Sequence, residues 1–188
     1  MKSIITVAAI LSLTILMSAC QTTSEKFDTE KDVDISETHI VLPEGLLKLK
    51  GVEFKGGKIN ETGSFRREVA IFKNGYFTFD RYFMGGFHMI TKEKFLKILN
   101  GKFVDIQSTD RIKTAAFAVG TVHYTIVHDL DNGNEWTCFA MAGNYGLRTP
   151  LLGGAGTEGS TYGEYCAIGN VPNFEEQVLP WVKKIRLR

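Results

Sequence analysis

Three cysteines and four histidines hold most of the reactive potential of this 188-residue sequence: Cys20, Cys138 and Cys166, with His39, His88, His123 and His128. A cysteine nucleophile needs a base within hydrogen-bond reach, and a zinc site needs several ligands converging on one point. Residues 121–142 read as a hairpin in which Cys138 faces Val127. His123 then lies on the same face four residues along, about 13 Å away at strand rise, while His128 points to the other face. His123 and His128 are an odd number of residues apart and cannot converge from one strand. His39 and His88 reach Cys138 only through a fold that local pattern does not specify. The histidines are expected as satisfied or surface imidazoles. No catalytic residue, metal site or cofactor is assigned.

Two further stretches have suggestive composition. Asp129 to Glu135 offers the carboxylates of a calcium loop, yet its glycine stands fifth where an EF-hand needs it sixth. The same residues make good turn chemistry, and a plain hairpin turn is the reading adopted. From Gly143 to Gly163 the chain is unusually rich in glycine. Gly154 to Gly159 formally satisfies G-x-G-x-x-G, but no strand before it or helix after it is evident, which sets a dinucleotide role aside. A long glycine-rich loop is expected, either functional or simply flexible. If it is functional, Asn144, Arg148, Glu158 and Tyr162 are its candidate ligand-touching side chains.

The elements that must position these residues are legible in part. Val69 to Phe79 carries Asn74-Gly75 between two β-prone runs, which predicts a two-residue turn there. Pairing Phe72 with Phe77 and Ala70 with Phe79 puts those four on one face, with Ile71 and Thr78 on the other. The second hairpin, with its turn at Asp131 to Asn134, puts Val122, Tyr124 and Ile126 on one face with Phe139 and Met141. Thr91 is placed to cap a short helix with Glu93 in its first turn, Phe95, Leu96 and Leu99 as its apolar stripe, and Gly101 past its end. Asn173 and Glu176 resemble a capping box opening a C-terminal helix of Phe174, Val178, Trp181, Val182 and Ile185. Pro180 predicts a kink or restart in that helix. The sum is an α+β fold with a largely antiparallel sheet, two hairpins, one short helix and a C-terminal helix.

Met1-Lys2 followed by the apolar run Ile4 to Met17 has the layout of a secretory signal, and the run is too short for a comfortable membrane span. Leu16-Met17-Ser18-Ala19-Cys20 resembles the bacterial lipobox, with Met17 where leucine is commonest. That resemblance implies cleavage before Cys20 and lipid on its thiol, since several chains together anchor stably where one is marginal. Gln21, in place of the aspartate that retains lipoproteins in the inner membrane of Gram-negative hosts, favours an outer-membrane location facing the periplasm in such a host. With Cys20 lipidated, Cys138 and Cys166 are an even remainder in an oxidising compartment, which favours one disulfide over two buried thiols or a catalytic cysteine. In the chain-entropy model it would contribute about 3 kcal/mol.

Lysine and arginine total 22 against 21 acidic residues, and loss of Lys2 with the signal leaves the mature chain neutral. Nucleic-acid binding lacks its electrostatic footprint, and the basic cluster from Lys183 to Arg188 reads as a helix-end charge run. Residues 1–19 are expected as the signal, 20–42 as lipidated cysteine and flexible polar tether, and 43–188 as one globular domain. The functional expectation is a membrane-anchored envelope lipoprotein with a non-enzymatic accessory domain, an assembly factor or inhibitor, binding an envelope protein partner. The alternative is a small envelope hydrolase with its site near residues 143–163.

Overall fold

The structure is a computed structural model that describes residues 31–44, 46, 52–63, 65–83, 89–103, 108–131, 133–148 and 156–188. Cys20, residues 1–19 and His88 lie outside the described residues. Among the described residues the fold is rich in antiparallel sheet, with two α-helices.

Among the described residues ten strands form: β1 (Lys31–Val33), β2 (Ile40–Val41), β3 (Phe54–Glu61), β4 (Phe65–Phe72), β5 (Gly75–Tyr82), β6 (Lys113–Phe117), β7 (Gly120–Asp131), β8 (Asn134–Arg148), β9 (Gly156–Ile168) and β10 (Arg186–Leu187). Helix α1 spans Lys92–Asn100 and α2 spans Phe174–Val182. Eight strands build one sheet in the order β1-β3-β4-β5-β9-β8-β7-β6, and β10 pairs with β2 in a separate ribbon. One meander, β3 to β5, meets a second, β6 to β9, along the antiparallel β5–β9 ladder.

Each face of this sheet is covered by one helix. On the first face, Phe72, Phe77, Phe139 and Tyr165 pack with Val178 and Trp181 of α2. The Trp181 ring meets Phe77 at 5.8 Å and Tyr165 at 5.4 Å, both edge-on, a geometry that the ring quadrupoles favour. On the second face, Phe95 and Leu99 of α1 pack with Val127, Cys138, Ala140 and Ala142. Thr91 caps α1 as its sequence suggests, accepting from Lys94 N at 3.3 Å.

The disulfide expected between Cys138 and Cys166 is present. The two residues stand directly opposite each other on β8 and β9, with Cα atoms 4.0 Å apart, joined by a disulfide. The Asp131–Asn134 turn and the Cys138–Val127 register also form as read.

Several expectations need correction. The first hairpin turns at Lys73-Asn74, with Phe72 opposite Gly75 and Ala70 opposite Phe77. This register differs by two residues from the expected one, so each side chain keeps its face. Gly75 has an ordinary φ; a Cβ on it would collide with the backbone of Glu164 on β9. Its value lies in close strand approach, not in the turn. Residues 143–148 and 156–163, expected in a loop, are strands β8 and β9, laddered to each other except at Gly146 and Glu158. The C-terminal helix forms, but Asn173 sits in the left-handed region with no side-chain cap bond, and the helix runs through Pro180 without a restart. Beyond the two expected hairpins, the described residues add β3/β4, β6/β7 and β8/β9.

The sheet also takes up residues that composition assigned to the tether. β1 pairs with β3, and Asp34 caps a 3-10 turn over Ile35–Glu37, accepting from Ser36 N at 2.8 Å. Backbone pairing at a sheet edge needs few apolar side chains, which is why a hydrophobicity argument misses it.

Gly75→Ala is expected to destabilise the protein by about 1–3 kcal/mol through overpacking, read from the urea midpoint. Gly75→Asn should be no better tolerated; if asparagine restores wild-type stability, Gly75 serves a left-handed turn and the β5–β9 contact does not explain it.

Candidate functional site

A charged cleft of about 240 Å³ opens on the α2 side of the sheet, at the end of the β5–β9 joint, lined by Arg66, Glu68, Arg81, Tyr145 and Glu158 among others. Alternation along β4 and β5 puts Glu68, Arg66, Phe79 and Arg81 on the face that carries Ala70, Phe72 and Phe77. The β2–β10 ribbon supplies the other wall: Arg188 N donates to the His39 carbonyl at 2.8 Å, which holds both residues at the rim.

Glu68 anchors the cleft. Its side chain is only 5% exposed, so its charge needs partners. His39 N donates to one carboxylate oxygen at 2.6 Å, and the other oxygen takes His39 Nδ1 at 2.6 Å and Arg66 Nε at 2.5 Å. Burial pushes the Glu68 carboxyl up, but the hydrogen bonds from His39 and Arg66 outweigh it and hold the group below its ordinary range. Arg66 also reaches Glu61 at 2.9 Å. Deeper in the cleft, the Tyr145 hydroxyl donates to the Asp80 carbonyl at 3.1 Å, and burial pushes its pKa up.

Arg81 differs from Arg66. The two stand directly opposite on β4 and β5, a cross-strand like-charge pair that is destabilising in itself. Arg66 has two carboxylates, whereas Arg81 has no ion pair among the described residues. On its other side Arg81 faces Gly159, over which the Tyr145 ring lies. Glu158 turns into the same cleft beside Gly146, whose φ of +62° breaks the regular alternation; a Cβ at Gly146 would lie 2.5 Å from Glu158 Cγ. Glu158 likewise has no ion pair among the described residues.

The four candidate residues of the glycine-rich stretch do not converge. Glu158 lines the cleft. Asn144 is buried and fully used: its Oδ1 accepts from Ile90 N at 2.6 Å, and its Nδ2 donates to Thr157 Oγ1 at 3.3 Å and Gly159 O at 3.4 Å. It pins the segment before α1 to β8 and β9, and these bonds give it a structural role. Tyr162 packs against the α1 core on the opposite face, where burial raises its pKa. Arg148 ends β8, and its side chain lies outside the described residues.

The histidines also separate. Thr114 Oγ1 meets His123 Nδ1 at 2.8 Å, and burial lowers the His123 pKa. His128 Nδ1 lies 3.4 Å from Thr137 Oγ1. Among the described residues, no group of three His, Cys, Asp or Glu is placed to hold a metal. A larger and more apolar cavity of about 630 Å³ lies between Met89, Phe117 and His123 on the α1 side.

Sequence reasoning missed His39, Arg66, Glu68, Arg81 and Arg188. A signal for three of them was available. Glu68 and Arg66 continue the parity of Ala70 and Phe72, and Arg81 that of Phe77 and Phe79, so charges stand in phase with a core-facing stripe. Comparison with protein-family models, curated proteins and solved structures returns no match.

The depressed Glu68 carboxyl fixes a pH dependence. A group lowered on folding adds stability above its unfolded value, ordinarily 4.5, and that stability drains away as pH falls from there toward the folded value. Glu68→Gln is expected to lower stability by about 1–3 kcal/mol at pH 7 and to flatten the loss below about pH 4.5. Urea midpoints between pH 3 and 7 measure both, and parallel pH profiles for wild type and variant would contradict the assignment.

Proposed function

We propose that this chain is a lipid-anchored lipoprotein of the cell envelope whose α+β domain binds a partner and does not catalyse a reaction. Residues 1–19 direct export, and Cys20 carries the lipid. In a Gram-negative host the domain sits at the outer membrane, facing the periplasm. It acts as an accessory of the assembly-factor or inhibitor type toward an envelope protein, and the Arg81–Glu158 cleft is a ligand site of the domain.

The observation that carries the anchorage is the pairing of Cys138 with Cys166. Of three cysteines it leaves Cys20, at the end of an apolar run, without a partner among the other two. The disulfide also leaves Cys138 no thiol for nucleophilic work. No helix among the described residues is long and apolar enough to cross a membrane, which fits attachment through a modified terminus.

One observation favours the second reading, a small hydrolase. His39 Nδ1 rests on the buried Glu68 carboxylate, the arrangement that orients an imidazole for general-base work, and Glu158 and Tyr145 of the glycine-rich strands line the same cleft. His39→Gln separates the readings: hydrolysis of a peptide or ester panel that disappears in this variant would support the hydrolase.

Anchorage is checked by growing cells with labelled palmitate and fractionating them. The wild-type chain is expected to carry label and sediment with membranes, and Cys20→Ser to do neither. A Cys20→Ser protein that still acquires lipid and sediments would refute the proposal.

A further inference from the structure

We propose that the Arg81–Glu158 cleft binds a small zwitterion, an α-amino acid or short peptide, with its carboxylate on Arg81 and its ammonium on Glu158. This rests on the binding reading above and names the ligand class of that same site.

Arg81 and Glu158 line one cleft and carry opposite charges, yet neither closes on the other to make an ion pair. Two opposite charges held apart across a cavity match a ligand that carries both. An anion alone would meet Arg81 but be repelled by Glu158, and a cation alone the reverse. Glu68 does not neutralise Arg81, because it is already committed to Arg66 and His39.

Both charges are held in place by the sheet. Arg81 sits on β5 between Arg66 and Gly159, and repulsion from the facing Arg66 guanidinium favours a bound carboxylate at Arg81. Glu158 depends on the left-handed bend at Gly146. The floor between them is Phe79 and Tyr145, both buried, while Arg81 itself is exposed and Glu158 half-buried. The volume of about 240 Å³ falls below the roughly 300–1,000 Å³ of pockets for drug-sized ligands, so the occupant is about the size of an amino acid or dipeptide.

Calorimetric titration of the full-length protein in detergent tests this with alanylalanine and glycine, against acetate and methylamine as half-ligands. Alanylalanine or glycine is expected to bind at least about tenfold tighter than either half-ligand, with Arg81→Gln and Glu158→Gln each weakening it about tenfold or more, as loss of a charged hydrogen bond does. Glu158→Gln should strengthen acetate binding, because it removes the repelling carboxylate. Thermal melting confirms that each variant folds; if Arg81→Gln does not, Glu158→Gln on the other strand carries the test. Acetate binding as tightly as alanylalanine would reduce the cleft to a plain anion site and overturn the proposal, as would no binding of any probe. Crosslinking in cells separates this from the broader reading: a partner captured by wild type and lost in Arg81→Gln, without zwitterion binding, would sink the zwitterion and leave the binding domain standing.

Discussion

Everything in the cleft depends on the ladder between β5 and β9. The chain builds two meanders, each from neighbours in sequence, and this ladder, from Gly75 opposite Tyr165 to Arg81 opposite Gly159, joins them into one sheet. It places Arg81 from the first meander beside Glu158 and Tyr145 from the second. Its contacts are among the longest in sequence and carry a large loop-closure entropy. Several devices offset that. Gly75 allows β9 to approach, Thr161 Oγ1 donates to the Thr78 carbonyl at 3.0 Å, and Tyr145 bonds to Asp80 across the joint. The disulfide ties β8 to β9 near the end of the ladder where Cys166 N donates to Asn74 O at 2.8 Å.

The electrostatics of the joint differ on its two faces. On the α1 side, Arg67 forms a two-pronged bond with the buried Asp80, at 2.7 and 2.8 Å, a closed pair that needs nothing further. On the α2 side, Glu68 is satisfied by His39 and Arg66, whereas Arg81 is not. A fold that sought only stability would replace one arginine of the facing Arg66–Arg81 pair. The unpaired charge sits where the β2–β10 ribbon, the sheet and the bend at Gly146 line a small cavity.

Much of the local structure was legible in the sequence, and little of the site was. Both aromatic hairpin faces were readable because side-chain parity survives a two-residue error in register, as the Phe72–Gly75 pairing shows. The α1 cap and stripe were readable because Thr91, Phe95 and Leu99 act within one helix. The disulfide followed from cysteine arithmetic. The ribbon of β8 and β9 was not readable, because glycine content signals a loop until partner strands are known; Phe77 and Tyr145 lie over Gly163 and Gly159 and supply the cover those residues lack. Asn144 was rightly singled out as unusual, but its bonds hold the fold together. Arg81 and Glu158 come from different meanders, and no local pattern reports a long-range pairing.

The central claim is that the β5–β9 ladder is an interior joint that preforms the cleft. Amide hydrogen exchange by NMR on the intact protein tests it most directly. The hydrogen-bonded amides of residues 77–81 and 159–163 should exchange only with global unfolding, in step with the most protected amides of β7 and β8. If they exchange by local opening at rates typical of the edge strands β1 and β6, the two meanders are not joined and the cleft is not preformed.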